Sequence, residues 1–303
     1  MKHLRTLNDL SPDDIVAILD RATELKAEYK AGHREPILPG RLLSMLFEKP
    51  SLRTRVSFEA AMSHLGGNSV FQSTDNAGLN GRESLPDVSR VLSGFSDVIV
   101  LRTFSQQLIE DFSVHSRCPI INGLSDDAHP CQALTDMLTI RETLGDLAGR
   151  RLTYIGDGNN VARSLCLAAA LTGLSLTVCT PPDFAIPADF LDDVCQRYPD
   201  ADITETTDPL KAVSQAELVY TDVWASMGQE AEAMARRAVF ASYQVNATLM
   251  GQAPDGCYFM HDLPAHRGEE VTDEVIDGPC SLAFIQAENR MHLAKGLIAW
   301  LLD

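Results

Sequence analysis

Positive charge is in short supply along this chain. Its 303 residues carry 25 Lys and Arg against 42 Asp and Glu, a net charge of −17. A nucleic-acid surface and an anionic membrane both reward a positive face, so neither is an expected partner. Any anion must instead be held locally, by a few cations gathered at one place. Cysteine pairing is also missing. Cys118, Cys131, Cys166, Cys179, Cys195, Cys257 and Cys280 are odd in number, contain no C-x-x-C spacing and lie mostly in apolar runs. That excludes a disulfide framework and reads as reduced intracellular thiols. No internal repeat, low-complexity tract or Gly/Ser linker interrupts the sequence. The opening MKHLRTLNDLSPDD is polar, with a helix start at Ser11-Pro12-Asp13-Asp14, and resembles neither a signal peptide nor a membrane span. The expected location is the cytoplasm.

One further absence removes a function class. Gly156-Asp157-Gly158-Asn159-Asn160 follows a strand-like run, Leu152 to Ile155, as a dinucleotide-binding turn would. A third glycine is required at Val161 or Ala162, and an acidic residue should end the next strand; both are lacking. This argues against a nucleotide-dependent oxidoreductase. Asn159 and Asn160 present amides instead, suited to a small zwitterion, against the plainer reading of an Asn-stabilised turn.

With 45% hydrophobic and 22% charged residues, the chain has the length of two domains of roughly 150 residues. Strand candidates end at Phe47, Leu101, Asn122, Gly156, Thr180, Asp222 and His261, with helical periodicity between most of them. The alternation predicts an α/β protein of two Rossmann-like domains, each a parallel sheet flanked by helices, linked by interdomain helices. The first domain is expected over 1–148 and the second over 149–280, divided after a helix from Pro130 to Leu144. A last helix, 281–303, is expected to pack back on the first domain, with Phe284, Ala287, Met291, Ile298 and Leu301 along one side.

Polar clusters recur just after predicted strands, where open parallel sheets bind ligands. Ser51-Leu52-Arg53-Thr54-Arg55 sets two guanidiniums and two hydroxyls at a helix start, which favours phosphate through unpaired N–H groups and charge-assisted bonds. Arg102 arrives at the end of an apolar strand, needing an acid or an anion. His129-Pro130-Cys131-Gln132 offers a donor for a carbonyl oxygen and an amide with both donor and acceptor. Asp222-Val223-Trp224-Ala225-Ser226-Met227-Gly228 supplies a carboxylate able to hold an ammonium. His261-Asp262-Leu263-Pro264 follows the last strand, and Glu288-Asn289-Arg290 brings another cation from the C-terminal helix.

Taken in order, S-x-R-T-R, the strand-end Arg, HPCQ, GDGNN, D-x-W-x-S-M-G, H-x-L-P and ENR resemble the transcarbamoylases, over nearly the whole chain, and D-x-W-x-S-M-G resembles the ornithine branch. The resemblance implies carbamoyl transfer from carbamoyl phosphate to ornithine, without metal or organic cofactor, in a homotrimer or a multiple of trimers. It implies that the run Ser51, Leu52, Arg53, Thr54 and Arg55 binds phosphate, the Leu52 side chain being a matter of packing. Arg102 would bridge phosphate and carbamoyl oxygen, and His129 would donate to that oxygen. Gln132 and the Leu263 carbonyl would hold the carbamoyl nitrogen, and Arg290 would complete the pocket. Asn159, Asn160, Asp222, Ser226 and Met227 would hold ornithine. The chain departs from the ornithine pattern at Asp262, where the resemblance leads one to expect Cys. A carboxylate there, if near Asp222, forms a like-charge pair that raises one of the two pKa values. Asp262 then either takes the amine's proton or clamps the amine as an ammonium. Transfer to a modified ornithine or another diamine, and a regulatory paralogue without turnover, are the competing readings.

Overall fold

A computed structural model describes residues 1–73, 83–225 and 230–303. Its first helix follows from its cap. Ser11 accepts the N–H of Asp14, the Asp14 carboxylate returns a bond to the Ser11 backbone, and Pro12 opens α1 (Pro12–Lys30). The apolar run then forms β1 (Leu42–Phe47), and Ser51 caps α2 (Leu52–His64). There follow β2 (Asn68–Ser73), α3 (Leu85–Phe95), β3 (Val98–Arg102), α4 (Gln106–His115), β4 (Ile120–Leu124) and α5 (Pro130–Leu144). The second half continues with β5 (Arg151–Ile155), α6 (Asn160–Thr172), β6 (Ser175–Cys179), α7 (Ala188–Arg197), β7 (Ile203–Thr206), α8 (Pro209–Val213) and β8 (Leu218–Thr221). It closes with α9 (Ala233–Phe240), α10 (Ala247–Met250), β9 (Tyr258–His261), α11 (Asp273–Ile276) and α12 (Ala283–Leu302).

The chain divides into two compact units, one of residues 1–138 with 288–303, the other of 139–287. The division expected at 148/149 falls past the end of α5, whereas this one falls within it. In the first unit all strand pairs are parallel, in the order β2-β1-β3-β4. The strand β3 is buried throughout, as its unbroken apolar sequence requires of a central parallel strand. Ile109, Phe112, Ile120 and Leu101 build the core beside it. Against α1, the helix α12 comes so close that a Cβ on Gly296 would stand 2.6 Å from the Ala22 nitrogen, so only glycine fits.

The second unit holds a parallel sheet in the order β7-β6-β5-β8-β9, with Val219, Phe240, Phe259 and Val271 in its core. Both sheets reverse direction once, between β1 and β3 and between β5 and β8. In open α/β sheets the crevice at such a switch point is where ligands bind.

Of the stripe expected on α12, Ile298 and Leu301 are buried, Ala287 and Met291 are half-buried, and Phe284 departs from it at 56% exposed; the buried face also carries Gln286, Asn289, Arg290, Leu293 and Leu297. Polar side chains are buried here because they have partners: Gln286 Oε1 accepts the His261 N–H at 2.9 Å, and Asn289 Oδ1 accepts from Lys26 Nζ at 2.6 Å. Hydrophobicity alone misassigns a face whose buried positions make hydrogen bonds.

Candidate active site

In the first unit the switch point is built around Thr54. Ser51 is the N-cap of α2: its Oγ accepts the Thr54 N–H at 3.3 Å and donates to Thr54 Oγ1 at 3.0 Å. The same Oγ1 accepts Arg290 Nη2 at 2.8 Å and, at a longer 3.5 Å, Arg102 Nη1. Thr54, Arg102 and Arg290 are all buried. Two guanidiniums from β3 and α12 thus meet at the N-terminus of a helix. Each adds to the positive potential of the unpaired N–H groups there.

His129 lies 2% exposed, just before α5. Burial drives its pKa well below the ordinary histidine value, and the neighbouring charges of Arg290 and Arg102 push it further down. The ring is neutral at physiological pH and keeps one N–H to donate. Gln132, one turn on and 1% exposed, gives its Nε2 to Asp136 Oδ1 at 2.9 Å. Its Oε1 is buried without a partner among the described residues. A buried acceptor without a donor costs stability unless a ligand supplies one. The Nε of Arg53 is a buried donor in the same position.

Two members of the predicted run stand apart. Arg55 is exposed, bonded through Nε to Glu59 Oε1 at 2.9 Å, with its guanidinium 4.0 Å over the Phe71 ring. Leu52 is 76% exposed. Of the four arginines expected at the phosphate, Arg102 and Arg290 meet at Thr54, Arg53 keeps its Nε buried, and Arg55 occupies the outer face of α2 instead. The helical period explains this, since consecutive residues point about 100° apart and Thr54 and Arg55 cannot share a face.

In the second unit, Asn159 and Asp222 meet across the β5/β8 switch. The Asn159 Oδ1 caps α6 by accepting the N–H groups of Val161 and Ala162 at 2.9 and 3.1 Å, while its Nδ2 donates to Asp222 Oδ2 at 2.8 Å. Asn159 is therefore both the turn residue and the tether of the carboxylate; the half-buried Asn160 opens α6 beside it. Glycine is obligatory at 158, where a Cβ would stand 2.6 Å from the Ala185 and Ile186 backbone. The GDGNN turn is thus explained by close packing, without a dinucleotide. Its Asp157 is an ion-pair partner of Arg236 at 2.7 Å, and Arg236 also donates to the Trp224 carbonyl.

Asp222 is buried, and burial raises its pKa well above the ordinary aspartate value. The charge of Asp262 nearby raises it further. The expected acid pair is thus present. Behind it lies a group that sequence reading did not assign to the site: His261 Nε2 sits 3.1 Å from Glu270 Oε1, both fully buried. Nδ1 of His261 accepts the Leu263 N–H at 2.9 Å and lies 3.5 Å from Asp262 Oδ1. Burial would lower the His261 pKa, but the bonds to Asp262 and Glu270 overcome this and raise it to about 9. A protonated Nδ1 cannot accept, so the proton that the two carboxylates favour on this ring is taken up at the cost of the Leu263 bond. Leu263 itself takes a left-handed φ of 57°, held by it. Nothing in local sequence marks Glu270, which reaches His261 only through the fold. Ser226 and Met227 lie outside the described residues. Among the described residues, no group of three or more His, Cys, Asp or Glu is placed to hold a metal ion, and no helix is long and apolar enough to cross a membrane.

Comparison with known proteins joins the two half-sites to one family. Residues 2–142 match the model of the aspartate/ornithine carbamoyltransferase carbamoyl-P binding domain, and residues 148–301 that of the Asp/Orn binding domain. The ornithine carbamoyltransferase of Bacillus subtilis (strain 168) is 47% identical, over 98% of this chain and 92% of its own. That of Anoxybacillus flavithermus is 48% identical, over 99% and 96%. The solved ornithine carbamoyltransferase of Pyrococcus furiosus superposes with a TM-score of 0.96 at 44% identity, covering 99% of this chain and 97% of that one.

Proposed function

Since the chain belongs to the aspartate/ornithine carbamoyltransferase family, we infer that it moves the carbamoyl group of carbamoyl phosphate to the side-chain amine of L-ornithine, giving citrulline and phosphate. The observation that carries the reading is the convergence of Arg102 and Arg290 on Thr54 Oγ1 beside a neutral His129. That set supplies what the reaction needs. Ser51, Arg53, Thr54, Arg102 and Arg290 bind the phosphate, and His129 donates to the carbamoyl oxygen as negative charge grows on it. Donors fixed in advance stabilise that charge without reorganising, an effect worth about 10²–10³ in rate for a single donor. The open Oε1 of Gln132 accepts from the carbamoyl NH₂. Phosphate leaves into the arginines that already hold it.

The acceptor is assigned from the second unit and from the relatives. Asp222 and Asn160, with Ser226 and Met227, hold the amino-acid end of ornithine, and Asn159 keeps Asp222 in place. The name shared by the similar proteins, ornithine carbamoyltransferase, supports this acceptor, and the name of a Pyrococcus furiosus relative, "Ornithine carbamoyltransferase, anabolic", supports flux towards arginine synthesis. We also assign the protein to the cytoplasm, on its unpaired cysteines, and to a homotrimer, on the family resemblance. The carboxylate at Asp262 favours one alternative, an amine other than that of ornithine. Purified protein incubated with carbamoyl phosphate and each of ornithine, acetylornithine, succinylornithine, putrescine and aspartate decides the matter. Ornithine is expected to be the preferred acceptor by kcat/KM; phosphate release with another member of the panel alone overturns the assignment. Light scattering tests the trimer.

A further inference from the structure

The second unit holds a buried guanidinium that takes no part in the chemistry. Arg236, on α9, is 8% exposed. A desolvated guanidinium is tolerated where acceptors meet its N–H groups, and Arg236 has three of them. Nη1 donates to Asp157 Oδ2 at 2.7 Å and to the Trp224 carbonyl at 3.0 Å, and Nε donates to Glu232 Oε2 at 3.2 Å. The Glu232 side chain is exposed, so its ion pair is screened and contributes little. Asp157 is the inner partner: burial raises its pKa, and the bond and charge of Arg236 oppose that rise.

The two inner contacts fall in the two segments that meet at the β5/β8 switch. Asp157 stands two residues before Asn159 in the turn after β5, and Trp224 two residues after Asp222 in the run after β8. The bond from Asn159 Nδ2 to Asp222 Oδ2 is one link between these segments. About a single link they can pivot; the second, through Arg236, removes that freedom. Aromatic packing holds the arginine in place. Its guanidinium lies 4.8 Å from the centre of the Phe184 ring, and the Phe184 carbonyl accepts the Gly158 N–H at 2.8 Å. Phe240, from the same helix as Arg236, packs between Phe184 and Trp224, with ring centres 4.8 and 5.9 Å away.

We propose that Arg236 is a positioning residue for the acceptor amino acid: by bridging Asp157 and the Trp224 carbonyl, it sets the separation of the GDGNN turn and the run after β8, so that Asn160 and Asp222 engage one ornithine together. The inference rests on the acceptor assignment above. Arg236 acts through its two partners and not on the substrate. Groups already held at the right separation need no ordering when the ligand arrives, which strengthens binding without any new contact. The effect therefore belongs to acceptor binding, shared by the ground state and the transition state. Carbamoyl phosphate, assigned to the first unit, should not sense it.

The test compares the parent with Arg236→Lys and with the double variant Arg236→Met/Asp157→Asn, after thermal melts establish that each folds. The double variant leaves no buried acid without its cation. Its KM for ornithine is expected to rise about tenfold, the equivalent of one charge-assisted hydrogen bond. Its kcat should stay within about twofold of the parent, since loss of uniform binding raises KM alone. Arg236→Lys keeps the charge on a shorter stem, and its KM should lie between the two. Calorimetry should give the same Kd for carbamoyl phosphate in all three proteins. A lower melting temperature with KM unmoved makes Arg236 a structural brace and overturns the inference alone, as does a loss confined to kcat. A parent that forms no citrulline overturns the acceptor assignment and this inference with it.

Discussion

Arg290 and Thr54 lie 236 residues apart in sequence, yet the guanidinium donates to the hydroxyl at 2.8 Å, and both side chains are buried. The bond ties the C-terminal helix to the start of α2 and fixes where the second guanidinium of the phosphate cluster stands. Burial keeps His129 neutral, and the charges of Arg290 and Arg102 beside it reinforce this.

Replacing Arg102 by Lys keeps the charge and loses the fork. A point charge on a flexible stem cannot reach Thr54 and a ligand oxygen together. The expected result is a fall in kcat of about 10²–10³, comparable to removing one preorganised donor from an oxyanion site. Steady-state kinetics with saturating carbamoyl phosphate reads it, and an unchanged kcat would place Arg102 outside the reaction.

Gln132→Met removes the acceptor assigned to the carbamoyl NH₂ while roughly conserving volume. Loss of one hydrogen bond, worth about 0.5–1.5 kcal/mol net, should weaken carbamoyl phosphate binding up to about tenfold. Calorimetric titration measures this directly. Binding as tight as in the parent would mean that Oε1 meets no substrate donor.

Gly158→Ala is expected to destabilise the second unit. Its Cβ would stand 2.6 Å from the backbone at Ala185 and Ile186, and backbone cannot swing aside as a side chain can. Forced repacking of this kind costs about 1–3 kcal/mol, to be seen as a lower urea midpoint. The turn carries Asn159, so KM for ornithine should rise as well.

Lys295 offers a stability test with a defined pH window. Burial lowers its pKa from 10.5 to about 8, although Nζ still donates to the Leu25 carbonyl at 2.9 Å. The folded state thus binds fewer protons than the unfolded state between about pH 8 and 10.5. Stability rises with pH across that window, and the cost of the buried charge is fully present below it. Relative to Lys295→Met, the parent should gain up to about 3 kcal/mol between pH 8 and 10.5, because each tenfold loss of proton affinity on folding corresponds to about 1.36 kcal/mol. Urea unfolding of both proteins at pH 7.5 and 10.5 checks the sign; a gap that widens instead would contradict it.

Much of the architecture was legible because central parallel strands announce themselves. Leu42–Phe47, Val98–Arg102 and Arg151–Ile155 are apolar runs bounded by turn residues, and each is a strand in the structure. The strands β2 and β7 carried no such signal. Both lie at sheet edges, where one face meets solvent, and Asn68–Ser73 alternates exposed and half-buried residues rather than forming an apolar block. The cap at Ser51 was readable from its spacing to Thr54, whereas the outward turn of Arg55 is a matter of helical phase.

By itself the sequence determined which chemistry was available: two arginine-bearing strand ends, a His-Pro-Cys-Gln run, a strand-end aspartate and an acid at 262. Those are properties of residue type and local order, set by short-range sterics and hydrogen bonding. Tertiary structure alone decided which of them meet. Arg290 reaches Thr54 in the first unit, and Asp262 reaches Asp222 and Glu270 reaches His261 in the second, because in each unit parallel strands joined by helices bring distant segments together. Burial there then sets the protonation that no linear pattern records.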